Sequence, residues 1–216
     1  MRGDAFVRCS GFMSDPLSNL ITHNSGCWHG WFMRLNEAGS EQERFPTQLE
    51  AQAKGAAFEA CLTYLNSGQQ RRMQFSTLPS TMQVNSMGCW SLGPLSITPW
   101  NWVGELCVVV GQQRRRIIVR HSSNGIEQVV YVREAQDKNL AIAASQPLQC
   151  SIQSAGPYGL WTPEPGVDLL IDSRDRQMGD ATCCGLRWAH PNGETCTIVR
   201  RYGTDGMLQP IDDAWP

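Results

Sequence analysis

No stretch of the chain approaches the ~18 consecutive apolar residues that a bilayer-spanning helix needs, so a membrane span is not expected. Lysine is nearly absent: of 18 basic residues only Lys54 and Lys138 are lysine, and the rest are arginine, the side chain better suited to pairing with carboxylates in partly buried places. CxxC spacing is absent too. Nine cysteines, an odd number scattered from Cys9 to Cys196, argue against a disulfide framework or a zinc ribbon and for reduced, packed thiols. The adjacent Cys183 and Cys184 point to opposite faces of any strand, so with His190 and Cys196 they do not assemble a metal site. There is no Gly-x-Ser-x-Gly elbow and no phosphate-cradling Gly-Lys loop, and none of His23, His29, His121 and His190 has a serine-nucleophile neighbour. The one basic run, Arg114-Arg115-Arg116, in a chain of net charge -2 is far from a nucleic-acid footprint and reads as a solvated hairpin. The stretch from Met1 to Phe12 carries Arg2, Asp4 and Arg8 in place of the apolar run of a secretory signal, which predicts a cytoplasmic protein. Residues 1–13 read as a disordered tail or an over-extended start, with Met13 as an alternative initiator.

What the chain does contain is period-two patterning. Ser14-Asp15-Pro16 is a helix start, and Leu17, Leu20 and Ile21 recur at helical spacing, which predicts one short helix to about His23. Beyond it Leu49, Ala51 and Ala53 alternate with polar residues, as do Phe58, Ala60, Leu62 and Tyr64, which predicts half-buried antiparallel strands. Further strands are expected at about 27–35, 70–76, 82–91, 103–110, 114–121, 126–134, 167–172, 182–190 and 194–202. Turn signals such as Asn66-Ser67-Gly68, Ser123-Asn124-Gly125 and Pro191-Asn192-Gly193 separate them. The expected fold is all-β: one domain over 14–216, an up-and-down antiparallel barrel that leaves no unpaired edge, with a short N-terminal helix. In 135–165, Asn139 to Ala144 suits a helical turn, and Gly156-Pro157, Pro163 and Pro165 are expected to break strands. That segment would cross the barrel mouth or link two halves.

The most informative cluster follows the helix: Gly26-Cys27-Trp28-His29-Gly30-Trp31-Phe32-Met33-Arg34. Glycine, one residue, then tryptophan entering the first strand resembles the plug of lipocalin (calycin) barrels, in which the indole packs beneath an arginine of the last strand. The resemblance implies Gly26 and Trp28 as the plug, with Arg200 or Arg201 above it. Together with Gly88-Cys89-Trp90-Ser91-Leu92-Gly93 and Val129-Val130-Tyr131-Val132-Arg133-Glu134, the strand resembles a cyanobacterial lipocalin-like family of unknown function. That family is distantly similar to the S-type phycobiliprotein lyases. The resemblance covers about 26–134 and, more loosely, 182–202.

This resemblance implies a carrier of a small hydrophobic ligand, among which a linear tetrapyrrole (bilin) is the specific candidate, with a phycobiliprotein subunit as the partner that receives it. Catalysis would be lyase-like positioning without a nucleophile of the chain's own, and no cofactor would be required. Such a ligand needs an apolar cavity with aromatic walls and a few cations for its propionates. Strand parity offers Phe32 and Arg34, which share a face with Trp28; Tyr64; Tyr131 and Arg133, which share another; and Arg120 at the end of Ile117-Ile118-Val119. Each arginine fits the solvent rim equally well. Glu105, before an apolar strand, would meet a pyrrole nitrogen or serve as a surface acid or the partner of an inward arginine. Trp90, Trp100 and Trp102 form either a Trp-rich lid or core packing. A fatty-acid or carotenoid carrier fits the same pattern. The competing reading is a barrel filled by its own side chains, acting as a non-enzymatic interaction or assembly module.

Overall fold

A computed structural model describes residues 15–98, 101–122, 125–141 and 146–216. Helix α1 (Pro16–Asn24) starts as its sequence suggests: the Asp15 carboxylate accepts from the Ser18 backbone N–H at 3.1 Å, and Pro16 fills the first turn. No helix among the described residues is long and apolar enough to cross a membrane.

The next nine strands are β1 (Gly26–Leu35), β2 (Glu41–Lys54), β3 (Ala57–Tyr64), β4 (Gln70–Phe75), β5 (Met82–Val84), β6 (Trp90–Leu92), β7 (Trp102–Val110), β8 (Gln113–Ser122) and β9 (Gly125–Ala135). They form one antiparallel sheet in the order β4-β3-β2-β1-β9-β8-β7-β6-β5. Every strand but one pair bonds to its neighbour in the chain, and β9 returns to β1, setting His29 opposite Ala135 and Leu35 opposite Val129. The exception is β4 and β5, which share no ladder. The sheet is therefore a curled up-and-down meander, a half-barrel whose ring of hydrogen bonds is open along one seam. The single strand expected over 82–91 is two, because the Asn85 side-chain oxygen accepts from the backbone N–H groups of Met87 and Cys89, and Gly88 adopts a positive φ of 74°.

The later strands do not join this sheet. Instead β10 (Ser151–Ala155), β11 (Tyr158–Glu164), β12 (Val167–Asp172), β13 (Thr182–Ala189) and β14 (Thr195–Tyr202) pair in sequence as a second antiparallel sheet. The expectation that prolines exclude strands before 165 is corrected here. Gly156-Pro157 makes the tight turn of the β10–β11 hairpin. Pro163 lies inside β11 where the register slips between Trp161 and Glu164, a bulge at which a missing N–H leaves no ladder bond unmade. The predicted helical turn at Asn139 to Ala144 lies partly outside the described residues.

Strand alternation explains how the sheets meet. On one face Trp102, Leu106 and Val108 of β7, Ile117 and Val119 of β8, and Val129 and Tyr131 of β9 pack against Trp161, Leu169, Ile171, Leu186 and Ile198 of the second sheet in one continuous cluster. Each fully buried aliphatic side chain there contributes roughly 1.5–3 kcal/mol. The other face of the same strands is turned into the half-barrel.

His121 lies in the layer between the sheets. It is 2% exposed, stacks on Trp102 with ring centroids 4.5 Å apart, and neither of its ring nitrogens has a hydrogen-bond partner. Burial, and then the positive charge of Arg176, push its pKa down from 6.5 to about 3. The unfolded chain takes up that proton near 6.5 while the folded chain refuses it, so stability falls with pH below 6.5. Between about pH 7 and about pH 5 the loss should be roughly 2 kcal/mol. In urea denaturation at the two pH values His121→Phe, which keeps a stacked ring, should lose correspondingly less. Equal losses in both proteins would show that the imidazole stays unprotonated for some other reason or is not buried in solution.

Candidate ligand-binding site

The closed end of the half-barrel is built on the Gly26-to-Arg34 strand. Trp28 is completely buried, its indole N–H donates to the Asn24 carbonyl at 2.9 Å, and the Asn24 side chain ties the end of α1 both to the Gly88 carbonyl and to the indole of Trp90. A guanidinium does lie over Trp28, but it is that of Arg114 in β8, 4.3 Å from the ring centroid. The expectation of Arg200 or Arg201 is corrected. Both lie on β14, in the sheet packed against the opposite face, where Arg200 is wholly buried and donates to Tyr202 Oη, Ser91 Oγ and the carbonyls of Gly93 and Pro94. Arg200 thus fastens the second sheet to the chain following β6.

The basic run expected on a solvated hairpin is also corrected, since Arg114, Arg115 and Arg116 are 1%, 5% and 7% exposed. Alternation sends them to two sides, and each meets a carboxylate. Arg115 turns toward the second sheet, pairs with Glu164 and lies over Trp188. Arg114 and Arg116 turn inward onto the fully buried Glu134, with Nε of Arg114 at 2.5 Å and Nη1 of Arg116 at 3.1 Å, while Arg116 also pairs with Glu105. Gly30 makes this possible, because a Cβ there would overlap the Glu134 side chain and the Arg133 carbonyl. Burial alone would raise the Glu134 carboxyl, but the two guanidiniums outweigh it and hold the group below its usual pKa. The network therefore stabilises the fold above the ordinary carboxylate range and fails as pH falls through the depressed value.

Above this floor lies a cavity of about 690 Å³. It runs from Leu20 and Asn24 of α1 to the β3–β4 turn at Asn66 and Ser67, and the six steps along β3 from Phe58 to Tyr64 make it roughly 20 Å long. Phe32, Phe45 and Tyr64 form an aromatic wall, the two phenylalanines stacked at 5.6 Å and 26°. Guanidiniums lie against these rings: Arg34 over Phe45, Arg71 over Tyr64, and Arg116 over Phe32 and Trp90.

Of the predicted ligand contacts, the structure brings Phe32, Arg34, Tyr64, Trp90, Glu105 and Arg120 to this one cavity. It takes Tyr131 and Arg133 away. They share a face of β9, as expected, but it is the face against the second sheet, where the Tyr131 hydroxyl donates to Glu164 at 2.8 Å and Arg133 lies 3.5 Å from the same carboxylate. The Trp lid is not a unit either. Trp90 lines the cavity, Trp102 faces the second sheet beside His121 and Tyr202, and Trp100 lies outside the described residues.

The family profile described as "Domain of unknown function (DUF3598), N-terminal" matches residues 13–139, more than half of the chain. The chain belongs to the DUF3598 family. The matched region ends just after β9, so it contains the curled sheet and its cavity but not the second sheet. A solved structure of a DUF3598 protein of unknown function from Nostoc punctiforme is similar in fold, with a TM-score of 0.68 over 88% of this chain and 94% of that one, at 13% identity. No curated protein matches.

The residues that sequence reasoning missed in this DUF3598 cavity are Arg71 and Phe45 on the wall and Arg114, Arg116 and Glu134 beneath it. Turn counting does not find the last three: from the Ser123-Asn124-Gly125 turn it sets Arg114 opposite Arg133, and the register shift between Arg120 and His121 moves it to Glu134. Replacing Glu134 by Gln leaves the buried Arg114 without a counter-charge and Arg116 with Glu105 alone, and should cost about 3–5 kcal/mol in urea denaturation. The half-exposed pair of Arg34 and Glu43 supplies the contrast, since Glu43→Gln should cost under about 1 kcal/mol. Similar losses in the two variants would mean that the buried network does not hold the closed end together.

Proposed function

We propose that the chain is a carrier of an elongated hydrophobic small molecule, held in the half-barrel between α1 and the β3–β4 turn. One observation carries this reading: the cavity of about 690 Å³, walled by aromatic rings and closed at one end by a fixed ionic network. Pockets for ligands of several hundred daltons span about 300–1,000 Å³ and are mostly apolar with a few placed polar groups. A barrel filled by its own side chains, as the interaction-module reading requires, has no room of that size.

Within this class a linear tetrapyrrole is the specific candidate. Its conjugated rings suit the wall of Phe32, Phe45, Tyr64 and Trp90, and its propionates suit the arginines. Among the described residues that line the cavity there is neither cysteine nor histidine. Binding would shield a reactive vinyl carbon and present it to a cysteine of a phycobiliprotein subunit, a lyase-like role that consists of positioning.

Titrating purified protein into phycocyanobilin and recording the visible spectrum tests the tetrapyrrole directly. The expected result is a shifted, sharpened long-wavelength band that saturates near one equivalent, as the flexible pigment becomes fixed in one shape. A spectrum identical to that of free pigment at micromolar protein eliminates the bilin.

A further inference from the structure

The charges around the cavity do not balance, and the imbalance is all at one end. Six arginines line it: Arg34, Arg71, Arg72, Arg114, Arg116 and Arg120. Glu134 and Glu105 answer Arg114 and Arg116 at the floor, and Glu43 answers Arg34 at 2.6 Å. Among the described residues three of these guanidiniums have no carboxylate within salt-bridge range: Arg71, Arg72 and Arg120. Arg72 donates to Gln70, and Arg71 leans on the ring of Tyr64. All three are exposed. They sit toward the mouth, Arg71 two residues from the Gln69 end of the β3–β4 turn and Arg120 opposite Gln128 beside the β8–β9 turn. In a chain whose net charge is -2, this is a local concentration of positive charge at the opening of a cavity whose walls carry the aromatic rings of Phe32, Phe45 and Tyr64.

We propose that the ligand is an amphipathic acid that enters tail first, its apolar body along Phe32, Phe45 and Tyr64 and its carboxylate at the mouth between Arg71 and Arg120. This rests on the carrier reading and narrows it to a chemical class and an orientation. The floor rejects the opposite orientation. There each guanidinium is already neutralised, and a second anion would be buried next to Glu134 and Glu105 without a cation of its own. At the mouth the anion keeps part of its hydration while gaining charge-assisted hydrogen bonds, the combination that favours binding. The two arginines come from different strands of the curled sheet, β4 and β8, and both line the cavity.

The test compares two fluorescent probes that differ only in charge: cis-parinaric acid and its methyl ester. The wild-type protein should bind the acid about tenfold more tightly than the ester. Added salt should shrink that ratio, because the contact is solvent-exposed. In the double variant Arg71→Gln, Arg120→Gln the ratio of the two dissociation constants should fall close to one. Both side chains are exposed, so the variant is expected to fold, and the wild-type ratio decides the matter without it. Equal, tight binding of acid and ester by the wild-type protein overturns the head-group assignment while leaving the carrier reading standing. Failure to bind either probe overturns the carrier reading for chain-like lipids and this inference with it.

Discussion

The closed end of the molecule depends on one buried carboxylate. Glu134 receives Arg114 and Arg116 from the neighbouring strand, Arg114 in turn covers Trp28, and Trp28 donates to the last turn of α1. Helix, first strand and the β8–β9 hairpin are thus joined through a chain of contacts in which removing one negative charge leaves Arg114 buried without a counter-ion. Breaking a buried ion pair on one side costs far more than a surface pair contributes, so this end of the half-barrel is held in one arrangement. The rigidity matters for the cavity, whose floor is this network and whose wall is rooted in the same strands.

The second constraint is that β7, β8 and β9 are covered on both faces. One face closes on the second sheet through apolar side chains, and the other supplies the floor and one wall of the cavity. The cavity is then backed by a packed layer instead of by solvent, and Arg114, Arg116 and Arg120 are carried on a strand that cannot slide without disrupting the core behind it. The buried cation Arg200, bonded to the carbonyls of Gly93 and Pro94, adds a polar tie between the two sheets where apolar packing alone would leave the relative position less specified.

Much of this was legible in the residues. The helix start at Asp15 and Pro16 and the hairpins at the glycine turns follow from local chemistry, the burial of Trp28 fits what the resemblance implies, and six of the eight expected contact residues face one cavity. The failures have a common cause. Alternation tells which side chains share a face, and it placed Tyr131 with Arg133; it tells which face is the interior only when the other is wet. Along Val129 to Glu134 both faces are covered, so polarity no longer distinguishes them. For the same reason the basic run reads as solvated, and the register shift between Arg120 and His121 that brings Arg114 against Glu134 has no signal in the sequence. In the second sheet β12, β13 and β14 fall where the alternation sets strands, whereas β10 and β11 escape it because β11 is interrupted by Pro163, where a bulge absorbs the proline.

The unbonded seam between β4 and β5 gives the half-barrel a property that a fully laddered ring lacks. In a closed barrel, parting the wall anywhere breaks a row of backbone hydrogen bonds. Here β4 and β5 can separate while every ladder in the sheet stays intact, at the cost only of side-chain contacts between the two margins. The width of that seam is therefore set by side-chain packing along the two margins and not by the backbone.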